Sequence, residues 1–177
     1  IFEEGFLDYL KTFKFSGDLY SFEEGSIIFP QEPLVRIHAK LIEAQIIEGL
    51  VLNLCNFQSL IATKTARVWL AAKKGNVMEF GLRRAQGPDG AMGATRASYI
   101  GGAQGTSNTL AGQALGIPVM GTMAHSWVMS FPSELEAFEA YAKIYPEKTI
   151  FLIDTYDTLK SGIKNAIKAG AKLVEKG

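Results

Sequence analysis

Four short stretches of this 177-residue chain place chemically capable side chains at the ends of apolar runs. They are Phe80-Gly81-Leu82-Arg83-Arg84, Gly101-Gly102-Ala103-Gln104-Gly105-Thr106-Ser107-Asn108, Gly121-Thr122-Met123-Ala124-His125-Ser126-Trp127 and Asp154-Thr155-Tyr156-Asp157. Phe80 leaves a strand-like run where its ring can stack on a planar heterocycle, and Arg83 offers a guanidinium fork for carboxylate or phosphate. Gly105, Thr106 and Ser107 bring bare backbone amides and hydroxyls to the start of an apolar helix, a neutral receptor for an anionic oxygen. His125, close behind Gly121 and Thr122, can act as general base, metal ligand or nucleophile toward a phosphoryl group. Asp154 can orient an imidazole, hold a ribose hydroxyl or bind a magnesium–phosphate complex. Together these residues point to an enzyme that holds a phosphorylated ligand.

Each stretch also has a plainer reading. Phe80 can be a core ring with Arg83 and Arg84 in solvent, and residues 101–108 can be a capped turn, because Ser and Asn favour helix starts. Asp157 suits the cap of the helix that follows it. A single histidine is more often structural than reactive, and it is the three neighbouring ligand-like loops that favour chemistry for His125. A metal role is the weakest option, since His38 is the only other histidine and no His/Cys cluster accompanies it. His38 lies on an alternating strand-like run, sharing a face with Leu34 and Arg36, and reads as structural.

The elements that must position these residues follow from periodicity. Residues 6–14 carry apolar groups at helical spacing, and Ser16-Gly17-Asp18 ends that helix. Ile27-Ile28-Phe29 and residues 34–38 read as strands, separated by Pro30 and Pro33, and form a small flanking β element. Residues 39–54 and 58–74 read as two amphipathic helices with Asn56 as a cap between them. Beyond Gly75 strands are expected at 77–80, 118–121 and 149–153, and helices at 89–100, 107–115, 133–145 and 158–175. Gly87-Pro88-Asp89-Gly90 reads as a turn, and Ser133 with Glu136 as a capping box. Alternating β and α units predict a parallel sheet or barrel, with ligands at the C-terminal strand ends where all four stretches fall. The expected organisation is residues 1–38 as an N-terminal helix and part of a β domain, then 39–177 as an incomplete α/β barrel.

Composition narrows the functional classes. Lys plus Arg and Asp plus Glu each number 18, so no net basic field exists to hold a nucleic acid or an anionic membrane. The apolar stretch 39–72 is interrupted by Glu43, Gln45, Glu48, Asn53, Lys64 and Arg67, which argues against a spanning helix. Cys55 is the single cysteine and reads as a buried, inert thiol; with no recognisable secretory start, a cytoplasmic protein is expected. The opening at Ile1 without methionine, and the close on Leu173-Val174-Glu175-Lys176-Gly177 as a helix end leading to a further strand, suggest a piece of something longer.

The stretches 80–90, 105–108, 121–126 and 154–162, in that order, resemble nicotinate phosphoribosyltransferase, and the likeness extends over essentially the whole chain. The resemblance implies condensation of nicotinate with phosphoribosyl pyrophosphate to nicotinate mononucleotide and pyrophosphate, coupled to hydrolysis of ATP with Mg²⁺, in a homodimer serving NAD salvage. It makes His125 the residue phosphorylated by ATP, Asp154 its orienting carboxylate, Phe80 the ring that stacks on the pyridine, and Arg83 the guanidinium near its carboxylate and the sugar phosphate. Ser107 stands where relatives that use nicotinamide carry aspartate; a hydroxyl donates to a carboxylate that an aspartate repels, so the acid is the expected substrate. Members of the family are longer, with an N-terminal aromatic that crosses a dimer interface and a later Arg-x-Asp-Ser-Gly-Asp motif, neither found in these 177 residues. The alternatives are the nicotinamide enzyme and a non-catalytic fragment that keeps only binding and dimer contacts.

Overall fold

The computed structural model describes residues 1–174. The chain divides into two compact units, Ile1–Val119 and Met120–Gly177. Residues 1–38 lie within the first, which opens with helix α1 (Glu4–Lys11) and an antiparallel pair, β1 (Asp18–Ser21) with β2 (Val35–His38). Helix α1 stops at Lys11, short of the expected end at Ser16-Gly17-Asp18, and Asp18 already pairs with His38. Ile27-Ile28-Phe29 is not a strand: it lies outside both ladders, and Ile27 and Phe29 are exposed.

Two devices fasten this N-terminal part. The backbone N–H and hydroxyl of Ser16 donate to the buried Glu43 carboxylate, at 2.8 Å for the N–H, and hold that carboxyl below its ordinary pKa. The Arg96 guanidinium forks onto Glu24, lowering the Glu24 pKa chiefly through this hydrogen bond.

The two expected helices at 39–54 and 58–74 are one. Helix α2 runs unbroken over Leu41–Ala71, and Asn56 lies inside it rather than capping anything. No proline falls between Pro33 and Pro88, and a lone Asn is a weak breaker beside the hydrogen bonds of a continuing helix. As a single helix it is long and apolar enough to cross a membrane, with mean hydropathy 1.3 in its most apolar window, a test that core helices also pass. It packs on helix α3 (Gly87–Ile100), whose end turns sharply at Gly102. Gly102 has φ of +107°, and the Trp69 ring of α2 stands 3.1 Å from where its Cβ would be, so both backbone and space require glycine. The stretch expected as a turn at 87–90 forms the first turn of α3, where Pro88 needs no hydrogen-bond partner for its nitrogen.

Parallel pairing is present but short. Strand β3 (Met78–Glu79) pairs in parallel with β4 (Gly105–Thr106), and Thr106 makes a further parallel bridge to Val119. The fold is therefore mixed α/β, with two small two-stranded sheets among the described residues. Helix α4 (Thr109–Leu115) follows β4, capped by Asn108, whose side chain accepts the Ala111 N–H at 3.2 Å.

The second unit packs helices α5 (His125–Met129), α6 (Glu134–Ile144) and α7 (Ile163–Val174) around Met123, Val128, Ala137, Phe138 and Ala169. Phe138 and Val128 are fully buried, each stabilising the unit by about 1.5–3 kcal/mol through apolar burial. Ser133 caps α6 as expected, accepting the Glu136 N–H at 3.3 Å, but its hydroxyl also donates to the Glu136 carboxylate, so the box is closed side chain to side chain. Residues 149–153 form no ladder; Phe151, Leu152 and Ile153 instead pack half-buried on the apolar cluster. The expected helix 158–175 begins as a π turn, Thr158–Gly162, capped by Asp157, and continues as α7. Glu175 and the expected glycine end at 177 lie outside the described residues.

Gly162 is buried, and a Cβ there would collide with the backbone carbonyl of Ile153, immediately before Asp154. Gly162→Ala is expected to destabilise this unit by about 2–3 kcal/mol through overpacking against main chain that cannot rotate away. Urea denaturation followed by tryptophan fluorescence measures it, and an unchanged midpoint would contradict the close approach.

Candidate active site

In the second unit, His125 is the first residue of α5 and Asp154 follows the packed segment 149–153. The imidazole Nε2 stands 3.1 Å from Asp154 Oδ1, and both side chains are about half exposed, at 49% and 59%. The helix that carries His125 is fixed two residues later, where Trp127 donates its indole N–H to the Ala137 carbonyl at 3.1 Å and its ring packs on Phe131 and Tyr141. An imidazole whose Nε2 hydrogen is accepted by a carboxylate keeps its lone pair on Nδ1. In that tautomer Nδ1 is the ring nitrogen with a lone pair available to a ligand. Thr122 is exposed just before it, its hydroxyl donating to the Met123 carbonyl at 3.0 Å. Asp157 serves as the cap, accepting the N–H groups of Leu159 and Lys160, whereas Asp154 in the same loop pairs with His125.

In the first unit, the segment after β3 bends at Gly81, whose N–H donates to the Glu79 carboxylate, and enters a 3-10 turn, Leu82–Arg84. Phe80 is 40% exposed at this bend, and Arg83 extends into solvent from the turn. Arg84 is tied back, its guanidinium donating to the Phe80 carbonyl at 3.3 Å. Gly105 and Thr106 are buried in β4. The Thr106 hydroxyl donates to Glu79 at 2.6 Å and accepts the Asn108 N–H at 2.9 Å, so it is occupied within the protein and holds the loop. Ser107 is half-buried at the turn between β4 and α4, with its N–H on the Glu79 carbonyl at 3.0 Å.

Glu79 is the residue that sequence reasoning passed over. It ties the Phe80–Arg83 segment and the Thr106–Ser107 segment to one side chain. The available signal was a carboxylate inside the otherwise apolar run Val77-Met78-Glu79-Phe80, which demands partners if it is not to remain in water. Among the described residues no group of three His, Cys, Asp or Glu is placed to hold a metal by itself. His38 lies at the exposed end of β2, 4.0 Å from Asp18.

These features describe a mixed α/β protein with a short parallel strand pair in one unit and, in the other, an imidazole paired with a carboxylate. Residues 75–169 match the nicotinate phosphoribosyltransferase family, and residues 1–56 match its N-terminal domain. The chain belongs to the nicotinate phosphoribosyltransferase family. It is 49% identical over 172 residues to a nicotinate phosphoribosyltransferase of Mycobacterium tuberculosis, covering 97% of this chain and 37% of that protein. Against the Bacillus subtilis nicotinate phosphoribosyltransferase it is 48% identical over 149 residues, 84% of this chain and 30% of the relative. The crystal structure of human nicotinic acid phosphoribosyltransferase superposes with a TM-score of 0.85 at 32% identity, covering 99% of this chain and 45% of the human one. The chain therefore spans about a third to a half of the length of these relatives.

If Asp154 sets the imidazole, Asp154→Ala is expected to release it. Long-range ¹H–¹⁵N spectra should show neutral His125 as the Nε2–H tautomer in the parent protein and a mixture of tautomers in the variant. The same tautomer ratio in both would remove Asp154 from this role.

Proposed function

We propose that the chain carries the phosphoribosyl-transfer site of an enzyme that converts nicotinate and phosphoribosyl pyrophosphate to nicotinate mononucleotide and pyrophosphate, with ATP hydrolysis coupled through a phosphohistidine at His125. The observation that carries this reading is the 3.1 Å contact between His125 Nε2 and Asp154 Oδ1 on an exposed helix start. Family membership supplies the substrates. The parallel segments of the first unit are read as an arc of a barrel whose remaining strands belong to further chain.

In this mechanism Nδ1 of His125 attacks the γ-phosphorus of ATP. The nitrogen–phosphorus bond forms as the bond to the bridging oxygen breaks, and ADP leaves with that electron pair. Asp154 accepts the Nε2 hydrogen throughout and stabilises the positive charge that develops on the ring. Mg²⁺ is expected to enter with the phosphates and to neutralise their charge; with no protein-only metal cluster among the described residues, Asp154 is the carboxylate that suits such an ion. The Phe80 ring stacks on the pyridine, Arg83 takes its carboxylate or the sugar phosphate, and the Ser107 hydroxyl donates to the acid. Gly105 and Thr106 act through the loop they hold, and exposed Thr122 offers a hydroxyl to a phosphate. A free Cys55 suits a cytoplasmic setting, and the homodimer expected from the family is part of the same proposal.

The test is nicotinate mononucleotide formation by the full-length polypeptide, with and without ATP. His125→Ala is expected to abolish ATP stimulation while leaving slow uncoupled transfer, with nicotinate preferred to nicotinamide in both proteins. Undiminished stimulation in the variant would contradict the phosphoryl-acceptor role, and a preference for nicotinamide would contradict the reading of Ser107.

A further inference from the structure

The Glu79 carboxylate sits at the closure of a ring of hydrogen bonds whose direction is fixed. Its Oε1 accepts the Gly81 N–H, and its Oε2 accepts the hydroxyls of Thr106 at 2.6 Å and Thr95 at 2.9 Å. Both hydroxyls are approached from the other side by Asn108: its backbone N–H donates to Thr106 Oγ1 at 2.9 Å, and its side-chain Nδ2 donates to Thr95 Oγ1 at 3.4 Å. Asn108 cannot turn its amide over, because Oδ1 accepts the Ala111 N–H at the start of α4. A backbone N–H cannot reverse either. Both threonines must therefore accept from Asn108 and pass their own hydrogens to Glu79, which has to accept from three donors at once. Thr95, Thr106 and Asn108 are all buried, so water offers no substitute partner.

We propose that Glu79 is a positioning residue for the loops that face the pyridine: its acceptor-only carboxylate locks Gly81 and Thr106, and through them fixes Phe80, Arg83 and Ser107. The kinetic consequence rests on the nicotinate reading above, whereas the structural consequence rests on this geometry alone. A carboxamide cannot replace the carboxylate. With its oxygen kept on Gly81, its NH₂ group meets two hydroxyl hydrogens that already point toward it. With the amide reversed, it meets the Gly81 N–H. Charge-assisted hydrogen bonds of this kind are the stronger class, so the loss reaches the loops rather than staying at the side chain.

The test uses the full-length polypeptide with Glu79→Gln and the pair Thr106→Val and Thr106→Ser. Glu79→Gln is expected to raise KM for nicotinate about ten-fold, the effect of losing one hydrogen bond to a charged group. The rate of His125 phosphorylation by ATP should change by less than about two-fold, because none of the hydrogen bonds that the Glu79 carboxylate accepts involves the helix that carries His125. Hydrogen exchange at the Gly81 and Ser107 amides should accelerate about ten-fold in the same variant. Thr106→Val, which removes the hydroxyl at similar volume, should behave like Glu79→Gln, and Thr106→Ser, which restores it, should return KM and exchange close to the parent values. Parent-like KM and exchange in folded Glu79→Gln would overturn the proposal, as would identical behaviour of the two Thr106 variants. Should Glu79→Gln not fold, the Thr106 pair decides. Should the parent protein not consume nicotinate, the function reading fails, and the exchange rates at Gly81 and Ser107 still decide the role of Glu79.

Discussion

A histidine accepts a phosphoryl group well only if one ring nitrogen keeps its lone pair outward and the ring is held still while the bond forms. In the proposed transfer the carboxylate of Asp154, 3.1 Å from Nε2 of His125, would serve both conditions. The surrounding packing serves that contact. Trp127 anchors α5 through the Ala137 carbonyl and two aromatic neighbours, so His125 rides on a fixed helix start. Gly162 lets the main chain at Ile153 pass close to the start of α7, which delivers Asp154 at the right place. The absent Cβ at Gly162 and the half-buried Trp127 indole help set where the exposed imidazole points.

The first unit meets a different demand. Its loops hold Phe80, Arg83 and Ser107 in mutual register, although the segments that bear them lie far apart in the chain. A network of the half-buried Glu79 with the buried Thr95, Thr106 and Asn108 does this, with each hydroxyl both donating and accepting. Such a network is stabilising only when every member is satisfied, since a buried polar group left without a partner costs about 1–3 kcal/mol. That constraint makes the register definite. A slip of the Thr106–Ser107 segment would strand the carboxylate, two hydroxyls and an amide together.

Much of this arrangement was legible in the sequence where local chemistry dictates local structure. Ser133 before an amphipathic run, Asp157 before another, and the glycine-rich turn after Ile100 each announced a helix boundary, and each boundary falls within two residues of its expected place. The errors arose where distant contacts decide. Asn56 looked like a cap because capping residues are recognised by type, yet nothing nearby stops the helix and α2 runs through it. Residues 149–153 carry a strand pattern, but an extended segment becomes a strand only when a neighbour pairs with it, and here its apolar side chains pack on helices α5 to α7. Ile27-Ile28-Phe29 fails for the same reason. In the candidate site, the outward-facing residues stood out by type, whereas Glu79 did not, because its partners lie 16 and 27 residues away and only the fold brings them together. Thr106 was read as a ligand donor since its hydroxyl precedes a helix, a pattern that cannot reveal that both sides of that hydroxyl are already engaged.

The most direct measurement is to incubate the full-length polypeptide with ATP labelled in its γ-phosphate, quench at alkaline pH where phosphohistidine survives, and map the label by mass spectrometry. The expected result is one labelled residue, His125, phosphorylated on Nδ1, with labelling lost in Asp154→Ala. Label on another residue, on Nε2 of His125, or on no residue at all in protein that turns over nicotinate would contradict the role assigned to the His125–Asp154 pair.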